Sequence, residues 1–384
     1  MKIAIVNHDF SLGGVQRVAI EVAGGLADIE GYDVYLISFS GNNSFFYKVS
    51  EKCTRKINIT KRKLSENINF KLSIIRYKRS QKDLQISKIY GSQLRGLLSI
   101  LEKGKFECVI LCQSDLTALI PKIKTRLPIV KTIAWQHNDY KTYFTNYDYA
   151  KLFLPEYVLG LKMADQVVCL TESDEKLFKN HNPKTNFIYN PSTIAPNNVS
   201  KLNNNTVVFT GKLALKQKGL DYLLRLIELS PKTWKFKVAG VGPDSNVINK
   251  LVKDKKISSK IQFFGALKGD ELLNHYLSGD VFVSTSRWEG FGLVVVEAMK
   301  CGLPIVAFNN SGPREILAEG KYGILVEKFN VEKMHEEVAK LMNNYKLRKA
   351  YQEKSLERVK EFTLSSIIEK WRKILPKKVS VGAR

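Results

Sequence analysis

The stretch Glu289-Gly290-Phe291-Gly292-Leu293-Val294-Val295-Val296-Glu297-Ala298-Met299 sets one carboxylate before a glycine turn and a second eight residues later, inside an apolar helix-forming run. A turn that feeds a helix N-terminus presents free backbone N–H groups and the positive end of the helix dipole, which suits oxygen-rich or anionic ligands. A carboxylate on each side can accept hydrogen bonds from neutral hydroxyls of a sugar or ribose. On its own, the stretch also fits a helix with an acidic N-terminal cap and a half-exposed glutamate. Its surroundings decide the fold class. Residues 281–284 before it and 304–307 and 323–326 after it are short apolar runs, so strand, turn, helix and strand follow one another as in parallel α/β units.

The same alternation runs over most of the chain. Residues 3–6, 34–39, 108–112, 129–134, 166–170 and 187–189 read as strands, with residues 15–26 as the first helix. Residues 190–205 are rich in Ser, Asn, Pro and Lys and poor in apolar side chains, the composition of a linker. The pattern then restarts with strands at 207–210, 235–239 and 261–264 and a helix at 220–229. The expected organisation is an N-terminal Rossmann-like domain over 1–190, a linker at 191–205 and a second Rossmann-like domain over 206–361. The last helix, 362–376, should pack back on the first domain, and the basic 377–384 tail should fray. Two such domains would enclose a deep cleft between the C-terminal ends of their sheets, where open α/β sheets bind ligands.

Two further segments carry chemistry. Gly211-Lys212-Leu213 follows the first strand of the second domain, and Lys218-Gly219 opens the next helix. Two cations at such a junction fit a diphosphate between them, although a lysine-rich turn is unremarkable in a chain this basic. Ser11-Leu12-Gly13-Gly14 follows the first strand of the first domain, where paired glycines allow close approach to the backbone and where a plain tight turn fits as well.

Together these positions resemble glycosyltransferase family 4, retaining enzymes of the GT-B fold. The resemblance rests on Glu289–Met299, on Ser286, on Cys301-Gly302-Leu303-Pro304-Ile305-Val306-Ala307, on Ile261-Gln262-Phe263-Phe264-Gly265 and on Gly312-Pro313-Arg314-Glu315-Ile316. Lys212 stands where that family usually has Arg, and the loop with Lys216-Gln217 is one residue longer than the commonest version. The resemblance is specific over residues 205–330 and looser before them. It implies that Lys212 and Lys218 hold the donor diphosphate, with Gly13 and Gly14 behind the phosphate. Glu289 and the backbone N–H groups of Phe291, Gly292 and Leu293 would bind the transferred sugar, and Glu297 the ribose. The segment holding Phe263 would flank the base. His137, in Trp135-Gln136-His137-Asn138-Asp139, would face the donor sugar, although a lone histidine in such a loop also fits a structural role. Glu289, His137 and Lys218 are the expected catalytic set. The nucleotide-sugar donor, UDP-linked in the favoured reading, is a substrate, so no cofactor and no metal are expected.

Composition narrows the partners. The 384 residues carry 61 Lys plus Arg against 37 Asp plus Glu, a net charge of +24. Such a field attracts polyanions. Between Lys61 and Lys105 twelve basic residues stand against three acidic ones, interleaved with apolar side chains. That pattern fits a solvated helix face, or a surface resting on anionic lipid headgroups. No nucleic-acid-binding motif accompanies the charge, so nucleic acid is not an expected partner. The apolar run after Met1 is too short for a signal peptide and no run reaches membrane-spanning length, which predicts a cytoplasmic protein, peripheral on the membrane's cytoplasmic face. Five cysteines, none in a CxxC pair, fit a reduced compartment. The expected activity is transfer of a sugar from a nucleotide-sugar to a glycan or lipid-linked acceptor in cell-surface polysaccharide synthesis. A GT-B-shaped epimerase would act on donor alone and tend to carry more acid/base groups than the five histidines supply. A phosphorylase would need far more chain and a pyridoxal lysine. A non-catalytic basic binding protein would not need the intact Glu289 and Glu297 pair.

Overall fold

A computed structural model of the protein describes residues 1–42, 44–57, 64–80, 83–146 and 149–376. Lys61–Lys63 and Lys82 of the basic stretch and the 377–384 tail lie outside them, as do the side chains of Arg76 and Lys78. The chain divides into two compact units, one of residues 1–191 joined by the segment from Leu364 onward, the other Ser192–Thr363.

The first unit holds strands β1 (Lys2–Asn7), β2 (Asp33–Ser38), β3 (Thr54–Ile57), β4 (Cys108–Cys112), β5 (Lys131–Trp135), β6 (Gln166–Cys169) and β7 (Thr185–Phe187). They form one sheet in the order β3-β2-β1-β4-β5-β6-β7. The second unit holds β8 (Thr206–Thr210), β9 (Lys235–Ala239), β10 (Ile261–Phe263), β11 (Val281–Ser284), β12 (Ile305–Phe308) and β13 (Ile324–Val326), ordered β10-β9-β8-β11-β12-β13. The strand pairs of both sheets are parallel, and parallel neighbours need crossover helices, which cover both faces. That is why β4 can read Cys-Val-Ile-Leu-Cys with every residue buried. Burying one Val, Leu or Ile side chain stabilises by about 1.5–3 kcal/mol, so these central strands anchor the core.

Each sheet reverses its strand order once. In the first, β1 pairs with both β2 and β4; in the second, β8 pairs with both β9 and β11. At such a switch point the loops after two neighbouring strands leave in opposite directions and open a crevice at the strands' C-terminal ends. The sequences after β1, β4, β8 and β11 therefore supply the candidate site residues.

The helix Leu364–Ile374 belongs to the first unit, where Trp371 packs edge-on against Trp135 at 4.8 Å and Lys370 lies 4.9 Å over the Tyr189 ring. Residues 192–205 lie within the second unit and are tied to it. Ser200 N–H donates to Cys301 O at 2.9 Å, Asn204 N–H to Asp280 at 3.0 Å, and Leu202 is fully buried.

Two local readings need correction, and one strand was missed. Ile129 precedes β5 instead of belonging to it and is 89% exposed, because strand pairing with β4 begins only at Lys131. The strand expected at 187–189 is Thr185–Phe187, since its partner β6 ends at Cys169. The edge strand β3, Thr-Arg-Lys-Ile, carries no alternating apolar signal and was not legible; charged side chains on edges are one way proteins discourage further pairing. All five cysteines are buried and free. Among the described residues, no helix is long and apolar enough to cross a membrane.

Candidate functional site

The second switch point brings the loop after β8 against the loop after β11. Gly211 and the exposed Lys212 follow β8, a single turn Leu215–Lys218 comes next, and Gly219 starts the helix Leu220–Leu229. Gly219 has φ 59°, and a Cβ there would stand 2.1 Å from the Thr285 carbonyl oxygen, so only glycine lets the loops approach this closely. Thr285 Oγ1 donates to the Lys218 carbonyl at 3.0 Å, and Arg287 N–H to that of Gln217 at 2.8 Å. Arg287 also forks onto Asp221 at 2.9 and 2.6 Å and donates to the Leu215 carbonyl at 3.0 Å. These bonds fix the backbone that carries Lys218.

Held this way, the Lys218 ammonium forms an ion pair with Glu289. Ser286 Oγ donates to the same carboxylate oxygen at 2.8 Å, and Ser311 Oγ to the Glu289 carbonyl at 3.2 Å. The chain then passes through buried Phe291 to Gly292, at φ 99°, which opens the helix Leu293–Lys300 with no side-chain cap. An uncapped helix start beside an ammonium is an electropositive corner. Glu297, one turn into this helix, is 2% exposed. It is not half-exposed as the simpler reading of the stretch had it. One of its oxygens accepts from Thr193 Oγ1 and the other from Tyr276 Oη, each at 2.7 Å. Three buried polar atoms at these strand ends, Thr210 Oγ1, Trp288 Nε1 and Asn310 Oδ1, have no hydrogen-bond partner. Buried polar atoms without partners are rare and mark places where a ligand or water belongs.

The sequence-derived residues are therefore only partly assembled. Lys218, Glu289, Phe291, Gly292 and Leu293 converge at the second switch point, with Glu297 behind them and Lys212 on the neighbouring loop. Phe263 ends edge strand β10, two strands away from β8 in the sheet, and packs on the second core. In the first unit, Gly13 has extended backbone that any residue adopts and precedes the helix Gly14–Ala27, while a Cβ on Gly14 would meet nothing within 4 Å. His137 follows β5 and is buried, and its backbone N–H donates to Tyr143 Oη at 2.8 Å. Burial pushes its imidazole down to about 3, so it is neutral.

Sequence reading missed a second charged pair. His8, one residue past β1, and Asp115, three past β4, join across the first switch point at 2.5 Å. Tyr90 Oη donates to Asp115 at 3.0 Å. Burial would push the Asp115 carboxyl up, but the charge of His8 and the hydrogen bonds from His8, Tyr90 and the Leu116 N–H outweigh it and hold the group below its ordinary value. Directly after β4, Gln113 adopts φ 87°, ψ 161°, a region that glycine favours and that costs another residue about 1–3 kcal/mol. The signal lay in sheet order: positions 8 and 115 become neighbours only once β1 is known to pair with β4.

Comparison with known proteins bears on this geometry. The family described as "Glycosyl transferases group 1" matches residues 192–358, which span the second switch point. A Haemophilus influenzae protein described as an uncharacterized glycosyltransferase is 32% identical over 372 residues, 95% of this chain and 97% of its own. The chain belongs to the group 1 glycosyl transferases. This glycosyltransferase also shares its fold with solved structures. Sucrose-phosphate synthase from Thermosynechococcus elongatus matches with a TM-score of 0.79 at 15% identity, over 97% of this chain and 98% of that one. A TarM variant of S. aureus, solved with fondaparinux, alpha-GlcNAc-glycerol and UDP, matches with a TM-score of 0.75 at 16% identity, over 97% and 99%. At these identities the likeness shows the fold, two parallel-sheet α/β domains of the GT-B kind.

Proposed function

We propose that this glycosyltransferase moves a sugar from a UDP-sugar to a hydroxyl of a glycan or lipid-linked acceptor, in the synthesis of a cell-surface polysaccharide. The observation that carries the proposal is the Lys218–Glu289 ion pair at the second switch point, beside the uncapped helix start. A nucleoside diphosphate brings negative charge that Lys218 can bind in place of Glu289. Once exchanged, the Glu289 carboxylate is free to accept hydrogen bonds from the hydroxyls of the transferred sugar. Lys212 offers a second cation, Glu297 can trade Thr193 for a ribose hydroxyl, and the segment holding Phe263 would flank the base. Gly13 and Gly14 would back the phosphate and the neutral His137 would meet a substrate hydroxyl, as the family resemblance implies. UDP is favoured over other nucleotides because the TarM variant was solved with it.

The reaction keeps the anomeric configuration. The bond from the anomeric carbon to the diphosphate breaks, the acceptor oxygen bonds on the same face, and its proton passes to a leaving phosphate oxygen. Lys218 and the helix start stabilise the departing charge electrostatically, a role a metal ion fills in other enzymes. The protein works as a peripheral enzyme on the cytoplasmic face of the membrane. Support comes from the helix Leu64–Ser80, where Ile68, Leu72 and Ile75 are half exposed at helical spacing beside exposed Lys71 and Arg79. Such a face fits an anionic bilayer surface.

A thermal-shift panel of nucleotide sugars tests the donor assignment. Ligands that bind only the folded state raise the melting temperature by mass action. UDP-sugars are expected to raise it and the GDP and ADP counterparts to leave it unchanged; a shift with GDP- or ADP-sugars alone would replace the UDP assignment.

A further inference from the structure

Glu297 places a carboxylate in the interior of the second unit, one turn into the helix Leu293–Lys300. A buried carboxylate persists where donors replace the water it gave up. Here a hydroxyl meets each oxygen: Thr193 Oγ1 donates to Oε1 and Tyr276 Oη to Oε2, both at 2.7 Å. The two donors are held differently. Tyr276 stands in the last turn of the helix Gly269–Leu277 and is fully buried. Its ring centre lies 5.7 Å from that of His275 and 6.1 Å from that of Phe282 on β11. Its hydroxyl leaves the carboxylate only if that packing breaks. Thr193 is half-buried in irregular chain between two backbone anchors, Ser192 N–H to Phe362 O at 2.7 Å and Ser200 N–H to Cys301 O at 2.9 Å. One rotation about its Cα–Cβ bond withdraws its hydroxyl.

The last torsion of a glutamate is broad and roughly two-fold, so the side chain alone does not fix where its oxygens point. A fixed hydroxyl on Oε2 does. It leaves Oε1 turned to the position that Thr193 fills, where a ligand hydroxyl enters by replacing Thr193. Without the tyrosine hydroxyl the ligand itself has to order the carboxylate, and that cost weakens its binding.

We propose that Tyr276 is a positioning residue for nucleotide recognition. Acting through Glu297, it sets how strongly the site prefers a ribose that carries its hydroxyls, while Thr193 is the hydroxyl that the ribose displaces. The proposal rests on the reading of Glu297 as the acceptor of a ribose hydroxyl. It gives two hydroxyls on one carboxylate opposite effects. Loss of the fixed one weakens the preference. Loss of the displaced one strengthens it, because the ribose then supplies a donor that the buried oxygen lacks.

The test is calorimetry on the full chain with UDP and with 2′,3′-dideoxy-UDP, which keeps the base and diphosphate and lacks both ribose hydroxyls. The parent is expected to bind UDP about tenfold or more tightly than the dideoxy form, the scale of a hydroxyl bound to a charged group. Tyr276→Phe, which removes one oxygen and keeps the ring, should shrink that ratio about fivefold or more. Thr193→Val should enlarge it about threefold or more. A merely structural tyrosine would weaken both nucleotides alike, so an unchanged ratio in Tyr276→Phe would overturn the proposal. An unchanged or smaller ratio in Thr193→Val would do the same, and this change at a half-buried position decides the matter even where Tyr276→Phe does not fold. A parent that preferred UDP, with Tyr276→Phe keeping the preference, would sink this proposal alone and leave the donor reading standing. A parent that bound both nucleotides equally would remove the ribose role of Glu297 and the proposal with it. A parent that bound neither would bring down the donor reading as well.

Discussion

The two sheets of this molecule reverse strand order at corresponding places, after β1 and β4 in one unit and after β8 and β11 in the other. Each reversal is spanned by one acidic and one basic side chain, His8 with Asp115 and Lys218 with Glu289. The pairs differ in what can replace them. Lys218 brings its ammonium beside an uncapped helix start and a second exposed lysine, so an anion can take the place of Glu289. His8 and Asp115 line a cavity that has no Lys or Arg among its described residues, beside a neutral histidine. Similar topology thus sets a lysine–carboxylate pair at one reversal and a histidine–carboxylate pair at the other. The fold supplies the two openings, and a few side chains decide the chemistry of each.

The sharpest way to break this contrast is to remove the exchanger. Lys218→Ala and Glu289→Gln should each lower turnover by about a hundredfold or more, the scale of losing one electrostatic contact to developing charge. Both side chains are largely buried, so Lys218→Ala, which strands the Glu289 carboxylate, should also lower the melting temperature, whereas Glu289→Gln, which keeps the side chain's shape and removes its charge, should change it less. Near-parental turnover at saturating donor would remove the assigned role from that residue.

Membrane docking is the next largest effect expected. Each basic residue near an anionic leaflet contributes about 1 kcal/mol, within a Debye length of the surface. Changing Lys71, Arg76, Lys78 and Arg79 together to Glu should strip the protein from anionic vesicles in a sedimentation assay, while binding to neutral vesicles stays weak throughout. Unaltered sedimentation would make the Leu64–Ser80 face an ordinary solvated surface.

A smaller effect compares the units by pH. Burial lowers His137 to about 3 in the first unit and His275 to about 4 in the second, both from 6.5. Their unfolded forms take up a proton near pH 6.5 while the folded forms do not. Stability is therefore full above that pH and falls on acidification by about 1.4 kcal/mol per pH unit for each histidine, until its folded value is reached. Replacing His137 by Gln should flatten the loss between pH 6.5 and about 3, and His275→Gln between 6.5 and about 4. Parallel slopes in parent and variants, from denaturant titrations at several pH values, would contradict the burial of these rings. The smallest expected effect is that of chelation: activity should survive EDTA, and a strict need for added Mg²⁺ or Mn²⁺ would end the metal-free reading.

Much of the second unit was legible because its signals are local. Lys218-Gly219 and Glu289-Gly290-Phe291-Gly292 each place charge and turn residues within a few positions, and the short apolar runs around them mark parallel strands. The first unit hid its site because the partners are distant in sequence. His8 and Asp115 meet only through the pairing of β1 with β4, and Gln113 betrays itself only by its backbone angles. The partners of Glu297 were hidden for the same reason, since Thr193 lies 104 residues away. Edge strand β3 went unseen because an edge needs no apolar alternation.

Calorimetric titration of UDP into the parent, Lys218→Ala and Glu289→Gln tests the exchange at the second switch point most directly. Removing the carboxylate's charge frees Lys218 from its partner, so Glu289→Gln should bind UDP several-fold more tightly than the parent, about the gain of one released ion pair. Lys218→Ala should bind it at least about tenfold more weakly. Equal or weaker UDP binding by Glu289→Gln, in a protein that still melts as the parent does, would contradict the claim that the diphosphate takes the place of Glu289.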